Sequence, residues 1–177
     1  GNPVFPESRR AEAIAGATAV LVSHAHFDHI NDAPKIATEL GIPVVGKYDL
    51  TTYLESTAGC AGIGFNNGGT VGLGDVAVTM VAASHSSSFG GAAGPVYLGT
   101  ECGFMIAHGG RTLYFSGDTD VMADMAVFQD LHAPEIGILC AGGLYTMDMK
   151  RAAYAARKFF DFRTVIPCHY RTFPALE

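Results

Sequence analysis

Charged residues are scarce in this sequence. They make up 16% of the 177 residues, whereas apolar residues make up 49%. The 11 lysines and arginines form neither a run nor a basic stripe, and the net charge at pH 7 is −6. A composition this apolar excludes a disordered chain, and the shortage of positive charge argues against nucleic acid as a partner.

Long apolar runs and closely paired cysteines are missing as well. No apolar stretch approaches the roughly 20 residues that a membrane-spanning helix needs, and the opening residues do not resemble a signal peptide. The four cysteines show no C-x-x-C spacing, so we expect buried thiols rather than a disulfide framework. These features predict a cytoplasmic protein that does not associate with a membrane.

The hydrophobic pattern predicts one domain over residues 1–177. Its first part alternates strand, helix, strand and helix, which favours parallel pairing through right-handed crossovers. The predicted elements there are a strand at Thr18–Ser23, a helix that starts after Asn31 or Asp32 and ends at Leu40 before Gly41, a strand at Ile42–Val45 and a helix at Asp49–Ser56.

The pattern changes after a segment rich in glycine. Residues Gly59–Gly74 contain seven glycines and are predicted to form a turn-rich connector. Downstream, the predicted strands are Val76–Val81, Gly103–Ala107, Thr112–Ser116, Ile136–Cys140 and Thr164–Pro167, and the predicted helices are Val121–Leu131 and Met147–Phe160. This mixture predicts a layered α/β fold with sheets packed between helices.

Histidine and aspartate are concentrated just after the first predicted strand. His24-Ala25-His26-Phe27-Asp28-His29 follows the apolar run Ala19–Val22 directly. His24 and His26 are two positions apart, so they point the same way only in an extended segment, and the chain must then turn sharply before Asp28 and His29. One cation could bind His24 and His26 and a second could bind Asp28 and His29, which suggests a two-metal site.

Three further candidate ligands also follow predicted strands. His85 comes after Val76–Ala83, Asp118 after Thr112–Ser116, and His169 after Val165–Pro167. Strand ends hold ligands rigidly, so these side chains could converge at one edge of a sheet. Each has a simpler interpretation: His85 as a hydrogen-bonded histidine in a polar loop, Asp118 as a turn aspartate, and His169 as a core histidine. For His108 and His132, the interpretation without metal is preferred.

Along the chain, the motif H-A-H-F-D-H is followed by the single histidine His85, then by G-D-T, and then by His169. This order resembles the metallo-β-lactamase superfamily, and more narrowly the predicted metal-dependent hydrolases related to ascorbate-phosphate lactonases. The matching stretches are Leu21–Asp32, Asn66–Thr79, Ala83–Ser88, Gly117–Thr119, Gly142–Met147 and Ile166–Pro174. The resemblance implies a four-layer αβ/βα sandwich with two metal ions. It assigns His24, His26 and His85 to the first ion, Asp28, His29 and His169 to the second, and Asp118 to a bridging position. Imidazole and carboxylate ligands suit zinc, which we expect, as well as manganese or iron.

The resemblance also implies a reaction, namely hydrolysis of an ester, lactone or phosphodiester of a small molecule by a metal-activated water. Asp28 would orient that water and accept its proton, and Tyr145 and Tyr170 are candidate donors to a substrate oxygen. A diiron redox protein of the same fold and a non-catalytic metal-binding scaffold are the alternatives. Members of this family usually have extra strands before and a segment beyond the matched region. We therefore expect a chain truncated at both termini, whose exposed sheet edge would favour a homo-oligomer.

Overall fold

The computed structural model describes residues 5–92, 94–172 and 174–176. These residues form two compact units, each with a sheet and a hydrophobic core of its own. The first unit contains the described residues up to Asn66 together with Ser87–Thr100. The second unit contains Asn67–Ser86 and the described residues from Glu101 onwards.

The described chain contains both helices and strands. The helices are a short 3-10 turn at Glu7–Arg9, α1 (Arg10–Ile14), α2 (Phe27–Ile30), α3 (Ala33–Leu40), α4 (Tyr48–Ala58), α5 (Asp124–His132) and α6 (Met149–Phe159). The strands are β1 (Val20–Val22), β2 (Val44–Lys47), β3 (Gly62–Phe65), β4 (Thr70–Leu73), β5 (Val76–Ala82), β6 (Ser88–Gly91), β7 (Gly94–Tyr97), β8 (Cys102–His108), β9 (Arg111–Phe115), β10 (Ile136–Cys140) and β11 (Thr164–Cys168).

The first unit is built on a parallel sheet of three strands in the order β1-β2-β3. Helices α3 and α4 connect these strands, as the sequence pattern predicted. Helix α3 has Pro34 in its first turn, where the missing N–H costs nothing, and it ends at Gly41, whose φ of 65° suits glycine. The antiparallel hairpin β6–β7 belongs to the same unit. Its core includes Val22, Val44 and Leu50.

The second unit contains a six-stranded sheet in the order β11-β10-β9-β8-β5-β4. Strands β9, β10 and β11 are parallel, and α5 and α6 form the crossovers between them. The remaining neighbours are antiparallel. Gly109 and Gly110, with φ of 57° and 76°, form the tight turn of the β8–β9 hairpin. Pro167 lies on the edge strand β11, the position where a strand tolerates proline.

Aromatic residues fill the core of the second unit. The ring of Tyr114 on β9 stacks on Phe160, with centroids 5.3 Å apart, and meets Phe128 of α5 edge-on at 6.0 Å. Met125 of α5 and Ala155 of α6 are completely buried in the same cluster. Both crossover helices therefore pack on the parallel part of the sheet, whose strand ends they hold in place.

The prediction of a connector at Gly59–Gly74 was wrong, because strands β3 and β4 lie within it. Glycine is a weak strand former, but here two glycines permit close helix packing. A Cβ on Gly62 would lie 2.9 Å from the carboxyl carbon of Glu55, and one on Gly64 would lie 2.6 Å from the hydroxyl of Thr51. Both contacts come from α4, so these glycines let the helix approach β3. In the described part of the chain, none of the helices has the length and apolarity needed to span a bilayer.

Candidate metal centre

The histidine cluster of the first unit begins where β1 ends. His26 has φ and ψ of −66° and 150°, which is an extended backbone conformation. Helix α2 then makes a single turn that contains Asp28 and His29, so the sharp bend that the spacing predicted is present. His24 is only 1% exposed, whereas His26, Asp28 and His29 are partly buried. The strand end thus holds four ligand-type side chains in six residues.

The rings of this cluster contact one another. Nε2 of His24 lies 3.0 Å from Nδ1 of His26, and the ring centroids of His24 and His29 are 4.0 Å apart. The other ring nitrogen of His24, Nδ1, is 3.0 Å from the hydroxyl of Ser23. Such a partner fixes the orientation of a metal-binding imidazole and leaves Nε2 directed into the cluster. Oδ2 of Asp28 lies 3.5 Å from Nε2 of His29.

The second unit assembles a carboxylate and two imidazoles at one edge of its sheet. His85 follows β5, Asp118 follows β9 and His169 follows β11. These three strands run in the same direction, so their carboxyl ends meet at the same edge. Oδ2 of Asp118 lies 3.1 Å from Nε2 of His169 and 3.8 Å from Nε2 of His85. The side chains of all three are at most 15% exposed.

Gly142 makes the approach of Asp118 and His169 possible. Strand β10 lies between β9 and β11, so the residues that follow β10 pass between the two ligand-bearing loops. A Cβ on Gly142 would overlap the carbonyl oxygen of His169 and would lie 3.2 Å from its Nδ1. His169 itself has a φ of 57°, which is rare for a residue with a side chain. A special backbone therefore positions this histidine.

Residues outside the predicted set also support the cluster of the second unit. The backbone N–H of His85 donates to Oε1 of Glu101 at 2.7 Å, and the N–H of Ser84 donates to the hydroxyl of Thr119 at 2.9 Å. The sequence pattern did not identify Glu101 and gave Thr119 only as part of the G-D-T motif, because their contacts join distant loops. Ser23 could have been suspected from its place beside His24.

The two candidate tyrosines are on exposed segments of the second unit. Tyr145 lies in the turn after β10 and is 64% exposed, and Tyr170 follows His169 and is 36% exposed. The thiols nearby are of a different kind: burial raises the pKa of Cys140, and it raises the pKa of Cys168 to about 12. The cysteines are therefore protonated at neutral pH, and the ligand-type groups of this edge are imidazole and carboxylate.

The donor set of each unit fits a divalent transition metal. It contains imidazole nitrogens and carboxylate oxygens without a thiolate, which is the chemistry that zinc, iron and manganese accept in enzymes. The side chains sit at strand ends, where the scaffold keeps them in place.

Comparison with known proteins gives the family. A family model described as a beta-lactamase superfamily domain matches residues 1–170. The chain belongs to this superfamily. It is 66% identical over 177 residues to a UPF0173 metal-dependent hydrolase of Cereibacter sphaeroides, a match that covers 100% of the chain and 77% of that relative. A metal-dependent hydrolase of Dinoroseobacter shibae is 66% identical over 176 residues, with 99% and 76% covered.

A solved structure supports the same assignment. The metallo hydrolase Igni18 of Ignicoccus hospitalis matches with a TM-score of 0.78 and 32% identity, covering 91% of this chain and 67% of that one. The α/β fold is thus the metallo-β-lactamase fold, which confirms the predicted fold class. The chain is a metal-dependent hydrolase of the metallo-β-lactamase superfamily.

Proposed function

We propose that this hydrolase binds two divalent cations and cleaves an ester, lactone or phosphodiester of a small molecule. Zinc is the preferred metal, with manganese or iron as alternatives. The contact of the Asp118 carboxylate with two imidazoles at the strand ends of the second unit carries the proposal. A carboxylate has two oxygens, so one such group can serve two cations. The ring cluster of the first unit would supply the further nitrogen donors, since His24, His26 and His29 lie together there.

The proposed ligand sets follow the resemblance in the sequence. His24, His26 and His85 would bind the first cation. Asp28, His29 and His169 would bind the second, and Asp118 would bridge the two. Each unit supports the ligands that it would contribute. In the first unit, His24 and His26 have facing ring nitrogens and Asp28 lies beside His29. In the second unit, Asp118 lies beside His169.

When bound, the cations would supply Lewis acidity and lower the pKa of a coordinated water towards 7. The chain's own residues would do the rest. Asp28 would accept a hydrogen bond from that water, orient it towards the substrate and take up its proton for the leaving group. Tyr145 and Tyr170 would donate hydrogen bonds to substrate oxygens. Ser23 would hold His24 in one orientation through Nδ1.

The proposed partner is a small molecule, and no nucleic acid or membrane is proposed. The net charge of −6 and the absence of a basic stripe support this choice. The four cysteines are free, which is in keeping with a reducing cytoplasmic compartment. We also keep a homo-oligomer as a proposal, because β11 is an edge strand on which Val165 and Ile166 are each 46% exposed.

A hydrolysis assay tests this function. Zinc-loaded protein would be incubated with p-nitrophenyl acetate, γ-butyrolactone and bis(p-nitrophenyl) phosphate, and Asp118→Asn would be compared with Asp75→Asn. Asp75 is a matched control, because its side chain is 81% exposed at a hairpin. We expect turnover of at least one substrate, a loss of at least 100-fold in Asp118→Asn, and wild-type activity in Asp75→Asn. Equal activity of all three proteins, or no turnover by fully loaded protein, would contradict the proposal.

A further inference from the structure

A cavity of about 400 Å³ opens beside the ligand-bearing loops of the second unit. Its wall consists of Ser84, Asp120, the turn at residues 143–146, Asp148 and Arg151. Ser84 directly precedes His85, and Asp120 comes two residues after Asp118, so the cavity adjoins two of the proposed ligands. Tyr145, a proposed donor to the substrate, lines this cavity, but the cavity itself has no role in the proposed reaction.

Backbone contacts hold the cavity wall and the ligand loops together. The N–H of Asp120 donates to the carbonyl of Ser84 at 3.1 Å, which links the loops that carry His85 and Asp118. The N–H of Met147 donates to the carbonyl of Thr119 at 3.1 Å, which links the turn after β10 to the same loops. A group bound in the cavity would therefore have a fixed position relative to His85 and Asp118.

Arg151 presents an oriented guanidinium to the cavity. Its Nε donates to Oδ1 of Asp120 at 2.8 Å, and its Nη2 donates to Oδ2 at 2.6 Å. This pair holds the pKa of Asp120 below its usual value. A guanidinium has five N–H donors, so three remain outside this pair. About half of the Arg151 side chain is exposed, and these donors have access to a ligand.

The charges of the wall do not favour an anion. Arg151 is the single cation among the cavity-lining residues, and Asp120 already occupies it with both oxygens. Asp148 adds a second carboxylate, which accepts the backbone N–H of Arg151 at 2.6 Å. The formal charge of the lining itself is thus −1, so it has no free cation of its own to hold a phosphate or carboxylate, whereas an uncharged group would find both donors and acceptors.

The turn after β10 adds an apolar surface to the mouth of the cavity. Leu144 is 74% exposed and has a φ of 37°, an unfavourable backbone conformation for a leucine. Tyr145 beside it is 64% exposed. Strained residues persist where the surrounding structure holds them, and they occur often at ligand sites. These two side chains could cover the carbon skeleton of a ligand whose polar group reaches Arg151.

We propose that this cavity is the subsite for an uncharged group of the substrate that both donates and accepts hydrogen bonds, such as an amide or a hydroxyl, and that Arg151 selects it. The inference rests on the proposed function and narrows its substrate class. It predicts that the enzyme prefers substrates with a neutral polar substituent over substrates with a phosphate or a carboxylate at this position.

Ligand binding tests this inference without requiring turnover. Zinc-loaded, ¹⁵N-labelled protein would be titrated with three monosubstituted benzenes of similar shape: benzamide, benzoate and toluene. We expect benzamide to shift the amide signals of residues 143–151 with a millimolar Kd. We expect benzoate and toluene to bind there about tenfold more weakly, because neither has an uncharged group that donates and accepts hydrogen bonds.

Variants of one helix provide the controls. Arg151→Gln should weaken the binding of benzamide about tenfold, and Arg151→Lys should not restore it, because lysine lacks the planar fork. Arg157→Gln should bind like the wild type, since Arg157 is exposed on the same helix but does not line the cavity. Melting curves would confirm that each variant is folded.

Several outcomes would overturn the inference. They are tighter binding of benzoate than of benzamide at residues 143–151, equal binding of toluene and benzamide, no effect of Arg151→Gln, and no shift of these amides by any probe. Binding of the amide by a protein that hydrolyses nothing would contradict the proposed function but not this subsite. Hydrolysis without binding in the cavity would contradict the subsite alone.

Discussion

Replacement of Gly142 by alanine should displace His169 from Asp118. The new Cβ would overlap the carbonyl oxygen of His169, so one of the two backbone segments must move. Overpacking of this kind costs about 1–3 kcal/mol of stability, which corresponds to a decrease in Tm of about 2–12 °C for a chain of this size. The 3.1 Å contact between Asp118 and His169 would lengthen, so we also expect weaker zinc binding.

Gly72→Ala is the matched control for this prediction. Gly72 lies in β4 of the same sheet, and nothing lies within 4 Å of the position of its Cβ. Thermal unfolding in the presence of EDTA would measure stability without metal, and calorimetric titration with zinc would measure affinity. If Gly142→Ala unfolds within about 0.5 kcal/mol of Gly72→Ala and binds zinc as tightly, the close approach at Gly142 does not position His169, and the reasoning is refuted.

Three further substitutions or treatments probe the second unit and the thiols. Tyr114→Phe should raise the free energy of unfolding by about 1 kcal/mol, because the buried Tyr114 hydroxyl has no hydrogen-bond partner among the described residues. Burial also raises the pKa of Tyr114 far above its usual value. The wild type should therefore lose stability above pH about 10, because only the unfolded tyrosine ionises there. Chemical denaturation at pH about 8 and about 11 should show a smaller loss of stability in Tyr114→Phe than in the wild type. Asp148→Ala should lower the free energy of unfolding by about 1 kcal/mol in urea, because Asp148 caps α6. Asp148→Ser should retain most of this stability, because serine also caps helices. Equal losses in the two variants would contradict the capping role. Iodoacetamide at pH 8 should leave the buried Cys60, Cys102 and Cys140 unmodified until urea is added, and rapid native labelling seen by mass spectrometry would contradict their burial.

The elements with local signals could be predicted from the sequence. Pro34 and Gly41 delimit α3, and the pair Gly109-Gly110 marks the β8–β9 turn, because each residue has a conformational preference that acts without distant contacts. The ligand-rich segment after β1 could be recognised for the same reason. Its spacing alone predicted an extended run followed by a sharp turn, and α2 provides that turn.

Features that depend on distant contacts could not be predicted. Strand β3 was missed because Gly62 and Gly64 weaken the strand pattern, and only the packing of α4 explains why glycine is needed there. The role of Gly142 follows from the order of β9, β10 and β11 in the sheet, which the sequence does not display. The pair of Arg151 and Asp120 is separated by 31 positions, and nothing in their spacing connects them.

Metal content per chain is the measurement that tests the central claim most directly. Mass spectrometric metal analysis of protein purified without added metal would be done on the wild type, His26→Ala and His108→Ala. His108 is a matched control, because its side chain is 60% exposed at the β8–β9 hairpin. We predict two divalent ions per chain in the wild type and in His108→Ala, and fewer in His26→Ala. Two ions retained in His26→Ala, or none in the wild type after dialysis against zinc, would contradict the account.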